Sequence, residues 1–259
     1  MYKTIKSIYT SRLSKIVKRI GVLDDFLWRK FCSTEHTRSL NGDSVSYTIQ
    51  SKKELMRWNS LMKEEDVLVD FIDSIEEGDV IFDIGANIGT YSCFALSNVG
   101  ATGRVIAFEP EPQNAEALRE NLALNGDKRQ WDVIEVAASD YDGLGKMKLS
   151  TEVQGAGNHA LSTSGDFEVE VRRLDNMVSE GEVPSPDAMK IDVEGAELEV
   201  LAGCPELIGS VRCVYCEVHE RNSENYKEVV RYFKQNGLEV DIVYRRPDDW
   251  NDCHIKAHK

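Results

Sequence analysis

The chain has 259 residues, of which 41% are hydrophobic and 29% are charged, and its formal net charge is −14 at pH 7. This composition is typical of a folded globular protein and excludes wholesale disorder. The acidic charge argues against nucleic-acid binding through overall charge, because contacts to phosphates need a basic surface. The sequence has no apolar run of about 18 residues and no signal peptide, so we expect a cytoplasmic protein without a membrane-spanning helix.

The start of the chain differs from the rest in charge. Eight Lys and Arg against two Asp give residues 1–31 a net charge of +6, which leaves −20 for the remainder. Apolar residues at helical spacing predict a basic amphipathic helix over residues 3–20. Two interpretations of this helix remain open, docking on the protein and adsorption to the inner face of an anionic membrane. We divide the chain into a helical N-terminal appendage, 1–65, and a main domain, 66–259.

Strand and helix patterns alternate along the main domain. The predicted helices are 51–61, 64–76, 88–98, 112–125, 196–202 and 224–235. The predicted strands are 80–84, 104–108, 131–137, 146–150, 167–174, 188–193, 211–218, 238–244 and 252–259, of which 146–150 and 167–174 form an inserted hairpin. Such alternation predicts an α/β fold with a Rossmann-like, mostly parallel sheet and helices on both of its faces.

Six scattered cysteines are predicted to be free and buried, as in a reducing compartment. Cys213 and Cys216 have C-x-x-C spacing, but they lie in an apolar strand in which residues three apart face opposite sides. We therefore exclude a zinc or redox site there.

The first candidate site follows a short strand and reads VIFDIGANIGT. Asp83, Gly85, Asn87 and Gly89 follow one another two residues apart. Ligands of open α/β sheets bind at strand ends, where glycines let the backbone approach closely. The spacing differs from the G-x-G-x-x-G of dinucleotide sites, which argues against an NAD-dependent oxidoreductase. An acidic residue there suits a positively charged ligand such as S-adenosylmethionine (SAM), which carries a sulfonium and an amino group.

The next two strand ends supply further candidates for cofactor binding. Glu109 and Pro110 end the second strand, where a carboxylate accepts hydrogen bonds from the hydroxyls of a ribose. Ser139 and Asp140 end the third strand, where the adenine edge would lie, although a simple polar turn explains them equally well.

Candidate catalytic groups follow the fourth and fifth strands. Lys190, Asp192 and Glu194 alternate, and so share one face if the strand is regular. His219 ends the fifth strand. Asp192, Glu194 and His219 are candidates for the base or for orienting the substrate. We expect no metal; the alternative is a divalent cation that bridges Asp192 and Glu217.

Four segments together resemble the FkbM-type methyltransferases of the class I SAM-dependent superfamily. They read FDIGANIGTYS, AFEPEPQNAEALRENLALN, VRRLD and MKIDVEGAELEVLAG, and the resemblance spans roughly residues 65–245. It implies SAM as cofactor and a seven-stranded sheet with its last strand antiparallel. The implied activity is methylation of a hydroxyl on a sugar, glycan, lipid-linked or secondary-metabolite acceptor.

Two alternative functions remain. A nucleic-acid N-methyltransferase would typically carry an Asn/Asp-Pro-Pro-aromatic motif after the fourth strand, where this chain has Asp192-Val-Glu-Gly195. A catalytically inactive SAM-binding module would not need the additional acidic strand end. Acceptor choice is expected in the appendage and in the Gly-rich segment Gln154–Asp166, because loops carry specificity.

Overall fold

The computed structural model describes residues 34–49, 54, 65–149, 159–161, 167–219, 223–245 and 253–259. The predicted helix over residues 3–20 lies outside these residues, as do most of the predicted helix over 51–61 and most of the segment 154–166. No helix among the described residues is both long and apolar enough to cross a membrane.

The described elements alternate much as the sequence predicts. The helices are α1 (Glu65–Asp73), α2 (Thr90–Asn98), α3 (Pro112–Asn125), α4 (Leu174–Ser179), α5 (Glu197–Ala202), α6 (Pro205–Ser210) and α7 (Ser223–Gln235). The strands are β1 (Thr34–Leu40), β2 (Asp43–Ile49), β3 (Val80–Ile84), β4 (Arg104–Phe108), β5 (Trp131–Ile134), β6 (Val136–Ala138), β7 (Gly143–Leu149), β8 (His159–Leu161), β9 (Phe167–Arg172), β10 (Ala188–Ile191), β11 (Cys213–Val218), β12 (Glu239–Arg245) and β13 (Cys253–His258).

A seven-stranded sheet forms the centre of the protein, in the order β12-β13-β11-β10-β3-β4-β5. Strands β11, β10, β3, β4 and β5 are parallel to one another, and β13 is antiparallel to both β11 and β12. This arrangement confirms the predicted Rossmann-like sheet with an antiparallel last strand. The chain leaves β3 toward β4 and later returns to β10 on its other side. The switch point between β3 and β10 is where such sheets bind ligands.

The sheet separates two apolar clusters, because successive side chains of a strand point to opposite faces. Phe82 of β3 belongs to one cluster and Ile81 to the other. Cys213 and Cys216 divide between the clusters in the same way, and both are buried free thiols. The five cysteines that the structure describes are all buried thiols outside disulfides, as predicted.

A β-hairpin occupies part of the segment that the sequence predicts as a helical appendage. Strands β1 and β2 pair through a turn at Asn41 and Gly42, which both adopt positive φ. The backbone N–H of Thr48 donates to Asn121 of α3, and the hydroxyl of Tyr47 donates to the carbonyl oxygen of Thr90. The helical character of the predicted appendage is therefore not confirmed over residues 34–49, for which the sequence predicted no individual helix and where the chain packs as strands on the main domain.

A second correction concerns the predicted strand 131–137. The chain forms two strands there, since β5 ends the central sheet at Ile134 and β6 begins at Val136 in a separate four-stranded sheet. The order of this sheet is β6-β9-β7-β8, so the predicted inserted hairpin of β7 and β9 is present and carries two further strands.

Candidate functional site

The loop between β3 and α2 lies at the switch point of the sheet. Gly85, Asn87 and Gly89 all have left-handed backbone conformations, with φ of 76°, 54° and 92°. A Cβ on Gly85 would lie 1.9 Å from the carbonyl oxygen of Asp192. Only glycine fits this approach, which brings the loop against the turn that follows β10.

Asp83 supports this loop from inside the protein. Its carboxylate is buried, accepts a hydrogen bond from the hydroxyl of Ser92 at 2.6 Å, and lies 3.3 Å from the ammonium nitrogen of Lys190. The ammonium of Lys190 balances this buried charge, because a buried carboxylate requires a partner charge. The assignment of Asp83 to a cationic ligand stays a prediction.

Glu109 connects the end of β4 to the same loop. Its carboxylate accepts hydrogen bonds from the backbone N–H of Asn87 at 2.8 Å, from the N–H of Glu111 at 3.0 Å and from the amide of Asn114 at 3.3 Å. These contacts fix the orientation of the carboxylate beside the loop. The neighbouring Pro110 is half-buried.

Ser139 and Asp140 lie at the end of β6, next to the C-terminus of α5. Ser139 is buried, and a Cβ on Gly203 would lie 1.9 Å from its carbonyl oxygen. Asp140 is exposed, and its carbonyl oxygen accepts a hydrogen bond from Arg173. Ser139 and Asp140 thus belong to an ordered polar turn. Their proposed contact with the adenine edge stays a prediction.

Lys190 joins the loop to the turn that carries the acidic candidates. Its ammonium nitrogen lies 3.3 Å from Asp83, 3.3 Å from the carbonyl oxygen of Gly85 and 3.4 Å from Asp192. Burial would lower the pKa of Lys190, but the carboxylates of Asp83, Asp192 and Glu217 outweigh burial and raise it above its ordinary value. The side chain is therefore a permanent cation.

The acidic candidates lie in a turn rather than in a strand. Strand β10 ends at Ile191, so the regular alternation assumed for Asp192 and Glu194 does not hold. Glu194 has a φ of 50°, which is unusual for a residue with a long side chain and costs of order 1 kcal/mol. The side chains of Asp192 and Glu194 are 30% and 23% exposed. Both carboxylates are thus accessible from the crevice.

His219 is surrounded by carboxylates. Its Nδ1 lies 2.8 Å from Glu197, and its Nε2 lies 3.5 Å from Glu194, 3.8 Å from Glu217 and 3.9 Å from Asp192. The structure therefore brings the three catalytic candidates of the sequence together through the parallel pairing of β10 and β11, although Glu194 and His219 are 25 residues apart in the chain.

This surrounding charge keeps His219 protonated at neutral pH. Burial would lower the pKa of His219, but the hydrogen bond to Glu197 and the carboxylates of Glu217, Asp192 and Glu194 outweigh burial and raise it to about 10. Burial in turn would raise the pKa of Glu197, whereas its hydrogen bonds with His219, Asn225 and Gly195 lower it below the ordinary value. The pair is a buried imidazolium–carboxylate pair.

Asp192, Glu194 and His219 also have the residue types of a metal site. Their three ligand atoms lie within 4.8 Å of one another. The metal site considered in the sequence analysis consisted of Asp192 and Glu217, whereas this group contains Glu194 and His219 beside Asp192. An imidazole must be neutral to bind a metal, so the protonated His219 acts as the counter-charge of these carboxylates in the metal-free protein.

Two residues of the site were not predicted as site residues. Glu197 is fully buried, and it accepts hydrogen bonds from Gly195, His219 and Asn225. In the sequence, Glu197 could have been recognised as a charged residue at the first position of a helix whose other inward positions are apolar. Lys190 was recognised only as sharing a strand face with Asp192, although a lysine inside a buried strand signals a charge partner.

Comparison with known proteins identifies related chains. The family model described as the methyltransferase FkbM domain matches residues 83–240. The hexuronic acid methyltransferase AglP of Haloferax volcanii is 32% identical over 240 residues, which cover 90% of this chain and 95% of that protein. The 31-O-demethyl-FK506 methyltransferase FkbM of Streptomyces tacrolimicus is 31% identical over 199 residues, with 64% and 75% of the two chains covered.

The 2-O-methyltransferase NoeI of Sinorhizobium fredii is 33% identical over 159 residues, which cover 55% of this chain and 64% of that protein. Among solved structures, fibrillarin of Aeropyrum pernix with bound SAM aligns with a TM-score of 0.50 at 18% identity. The alignment covers 86% of this chain and 82% of fibrillarin, and it shows a shared fold.

Proposed function

This chain belongs to the FkbM methyltransferase family and is a SAM-dependent methyltransferase, and we propose that it methylates a hydroxyl oxygen of a sugar or glycan acceptor. The observation that carries this proposal is the pair of accessible carboxylates, Asp192 and Glu194, directly beside the loop of Gly85. A hydroxyl must lose its proton to become a methyl ether, and these groups are placed to accept it.

The residues at the switch point fit this cofactor. SAM supplies a methyl group on a sulfonium, which is already a reactive electrophile. We assign the loop of Gly85, Asn87 and Gly89 to its close approach, and the fixed carboxylate of Glu109 to its ribose hydroxyls. Asp83 holds the loop from behind. Ser139 and Asp140 are proposed at the adenine edge.

The remaining task of the protein is to orient the acceptor and move its proton. Asp192 and Glu194 are the exposed members of the acidic group, whereas Glu197 is fully buried. The protonated His219 lies beside both of them, with Nε2 at 3.5 Å from Glu194 and 3.9 Å from Asp192. We therefore propose Asp192 and Glu194 as proton acceptors, with His219 as an orienting cation.

The relatives support an acceptor with oxygen nucleophiles. AglP is named for hexuronic acid, and NoeI for 2-O-methylation. A uronic acid offers both a carboxylate, which needs no base, and hydroxyls, which do. The accessible carboxylates of this site would repel an acceptor carboxylate and would assist a hydroxyl, so we propose ether formation rather than ester formation.

Methyl transfer from labelled SAM to 4-nitrophenyl β-D-glucuronide and 4-nitrophenyl β-D-glucoside tests this proposal. We expect a product whose label survives mild alkali, because methyl ethers resist hydrolysis and methyl esters do not. An alkali-labile product would show that the carboxylate is the acceptor.

A second experiment compares the glycans and lipids of a deletion strain with those of the parent strain. The molecule that this protein methylates should be 14 mass units lighter in the deletion strain. Transfer to RNA but not to sugars would favour the nucleic-acid alternative, which the acidic body opposes.

Glu109→Ala should weaken SAM binding by about 1–3 kcal/mol in calorimetry, the scale of lost hydrogen bonds to a charged group. Glu109→Gln keeps an acceptor oxygen and should lose less. The matched control is Glu120→Ala, because Glu120 is an exposed acidic residue in α3. Equal SAM affinity of Glu109→Ala and the native protein would remove Glu109 from the cofactor site.

Dialysis against a chelator should leave turnover unchanged. The physical reason is that the sulfonium of SAM already activates the methyl group, and that the carboxylates of Asp192 and Glu194 are proposed to accept the proton without a metal-bound base. The measurement compares turnover before and after EDTA treatment, with Mg²⁺ and Mn²⁺ added back. Activity that EDTA abolishes and either cation restores would contradict this expectation.

A further inference from the structure

Lys190 contacts both sides of the crevice at once. It pairs in register with Asp83 of β3, and its ammonium nitrogen reaches Asp83 and the carbonyl oxygen of Gly85 on the cofactor side. On the other side the same nitrogen lies 3.4 Å from Asp192. An ammonium group has three N–H donors, of which Gly85 and Asp192 accept two, while Asp83 lies at ion-pair distance.

The surroundings of Lys190 leave its ammonium group little freedom. The residue is buried, and the nitrogen lies 5.0 Å from the ring centre of Tyr91, which adds a cation–π contact. The hydroxyl of Ser92 donates a hydrogen bond to the other oxygen of Asp83. The nitrogen of Lys190 thus connects the loop at Gly85 with the carboxylate of Asp192.

We propose that Lys190 is a positioning residue for methyl transfer, which fixes the carboxylate of Asp192 relative to the cofactor loop at Gly85. The inference rests on the proposed function of Asp192 as a proton acceptor. Misplacement of a reacting group by about 1 Å costs roughly 10²-fold in rate. Because the contact runs through one nitrogen, the cofactor loop and Asp192 are energetically coupled through Lys190.

A purely structural role is the competing explanation, since Lys190→Met alone leaves the buried Asp83 without its counter-charge and would destabilise the protein. The variant that separates the two roles is Lys190→Met with Asp83→Asn, which removes both members of the pair. It leaves no unbalanced buried charge, so the fold should remain stable in thermal unfolding.

SAM affinity in two backgrounds tests the coupling without any acceptor. In the native background we expect Asp192→Asn to weaken SAM binding about fivefold in calorimetry, because Lys190 loses an acceptor and the loop shifts. In the Lys190→Met/Asp83→Asn background the same change should alter the affinity less than about twofold. Equal effects of Asp192→Asn in the two backgrounds would overturn the proposal.

Turnover of the nitrophenyl sugar that the native protein methylates provides the second readout. At saturating SAM, the double variant should show kcat lowered about 10²-fold with little change in KM for the sugar. If the double variant has both the kcat and the stability of the native protein, the role of Lys190 is only to neutralise the buried charge of Asp83. A native protein that binds SAM but methylates neither sugar would refute the proposed acceptor, while the calorimetric comparison would still decide the role of Lys190.

Lys256 offers a matched control in the same sheet. It also pairs with a carboxylate, Asp70 at 3.2 Å, and lies 5.2 Å from the ring centre of Tyr215. Lys256→Met removes the same kind of contacts away from the crevice. We expect it to leave SAM affinity and turnover unchanged, and a loss equal to that of the Lys190 variants would overturn the positioning role.

Discussion

Asp192→Asn and Glu194→Gln are expected to lower turnover by about 10²-fold or more for at least one of the two, the scale of losing a general base. Each change keeps the size and polarity of the side chain and removes the negative charge. Both carboxylates are accessible, at 30% and 23% exposure, and both face Nε2 of His219. The measurement is kcat at saturating SAM, so that a change in cofactor affinity does not enter.

Glu199→Gln is the control for this experiment, because Glu199 is an exposed carboxylate in the adjacent helix α5. It should retain native turnover. If both site variants retain full activity, the proton acceptor lies elsewhere and His219 becomes the leading candidate. The raised pKa of His219 would then require the acid limb of the rate profile to lie well above neutral pH.

Sequence periodicity predicts the central sheet well because its strands are short apolar runs between polar turns. The limits of β3 and β4 agree with prediction to the residue. Between Trp131 and Ala137 the charged residues Asp132 and Glu135 both occur, and Glu135 is no stronger an interruption than Asp132, so nothing local indicates that the chain changes sheets there. That change is a tertiary feature, since β6 finds its partner in β9 more than 30 residues later.

The missed hairpin of β1 and β2 has a different cause. Asn41-Gly42 is a strong signal for a two-residue hairpin turn, and both residues adopt the positive φ that this turn requires. The strands beside it carry many polar residues, which obscured the alternation. Their buried side chains, Val45, Tyr47 and Ile49, occupy every second position of β2 as a strand against the core requires.

The sequence predicted individual residues of the candidate site, but it did not predict the contacts between them. Parallel strands place their carboxyl ends at one edge, which is why Asp192 and His219 could be assigned to one crevice from the sequence. The left-handed turn at Glu194 could not be foreseen, because a long side chain rarely adopts this conformation. That turn directs Glu197 inward to His219, so the importance of Glu197 follows only from the folded chain.

Glu197→Gln is expected to lower the free energy of unfolding by about 3 kcal/mol at neutral pH, since removal of one member of a buried ion pair leaves the other charge poorly compensated. Glu197 is fully buried and contacts His219 at 2.8 Å. Denaturant unfolding monitored by circular dichroism measures this loss. Asp241→Asn is the matched control, because it breaks a carboxylate–histidine contact of 2.9 Å with His258 at the surface. The control should leave the unfolding midpoint unchanged.

The same pair predicts how stability depends on pH. Folding raises the pKa of His219 from an ordinary value of 6.5 to about 10. A group whose pKa is raised by folding contributes its full stability below the unfolded pKa, and the contribution is lost as pH rises through the folded pKa. The native protein should therefore lose stability between about pH 6.5 and 10, and this slope should be smaller in Glu197→Gln. If the two proteins show equal slopes, the raised pKa of His219 does not depend on Glu197, and the pair contributes no pH-dependent stability.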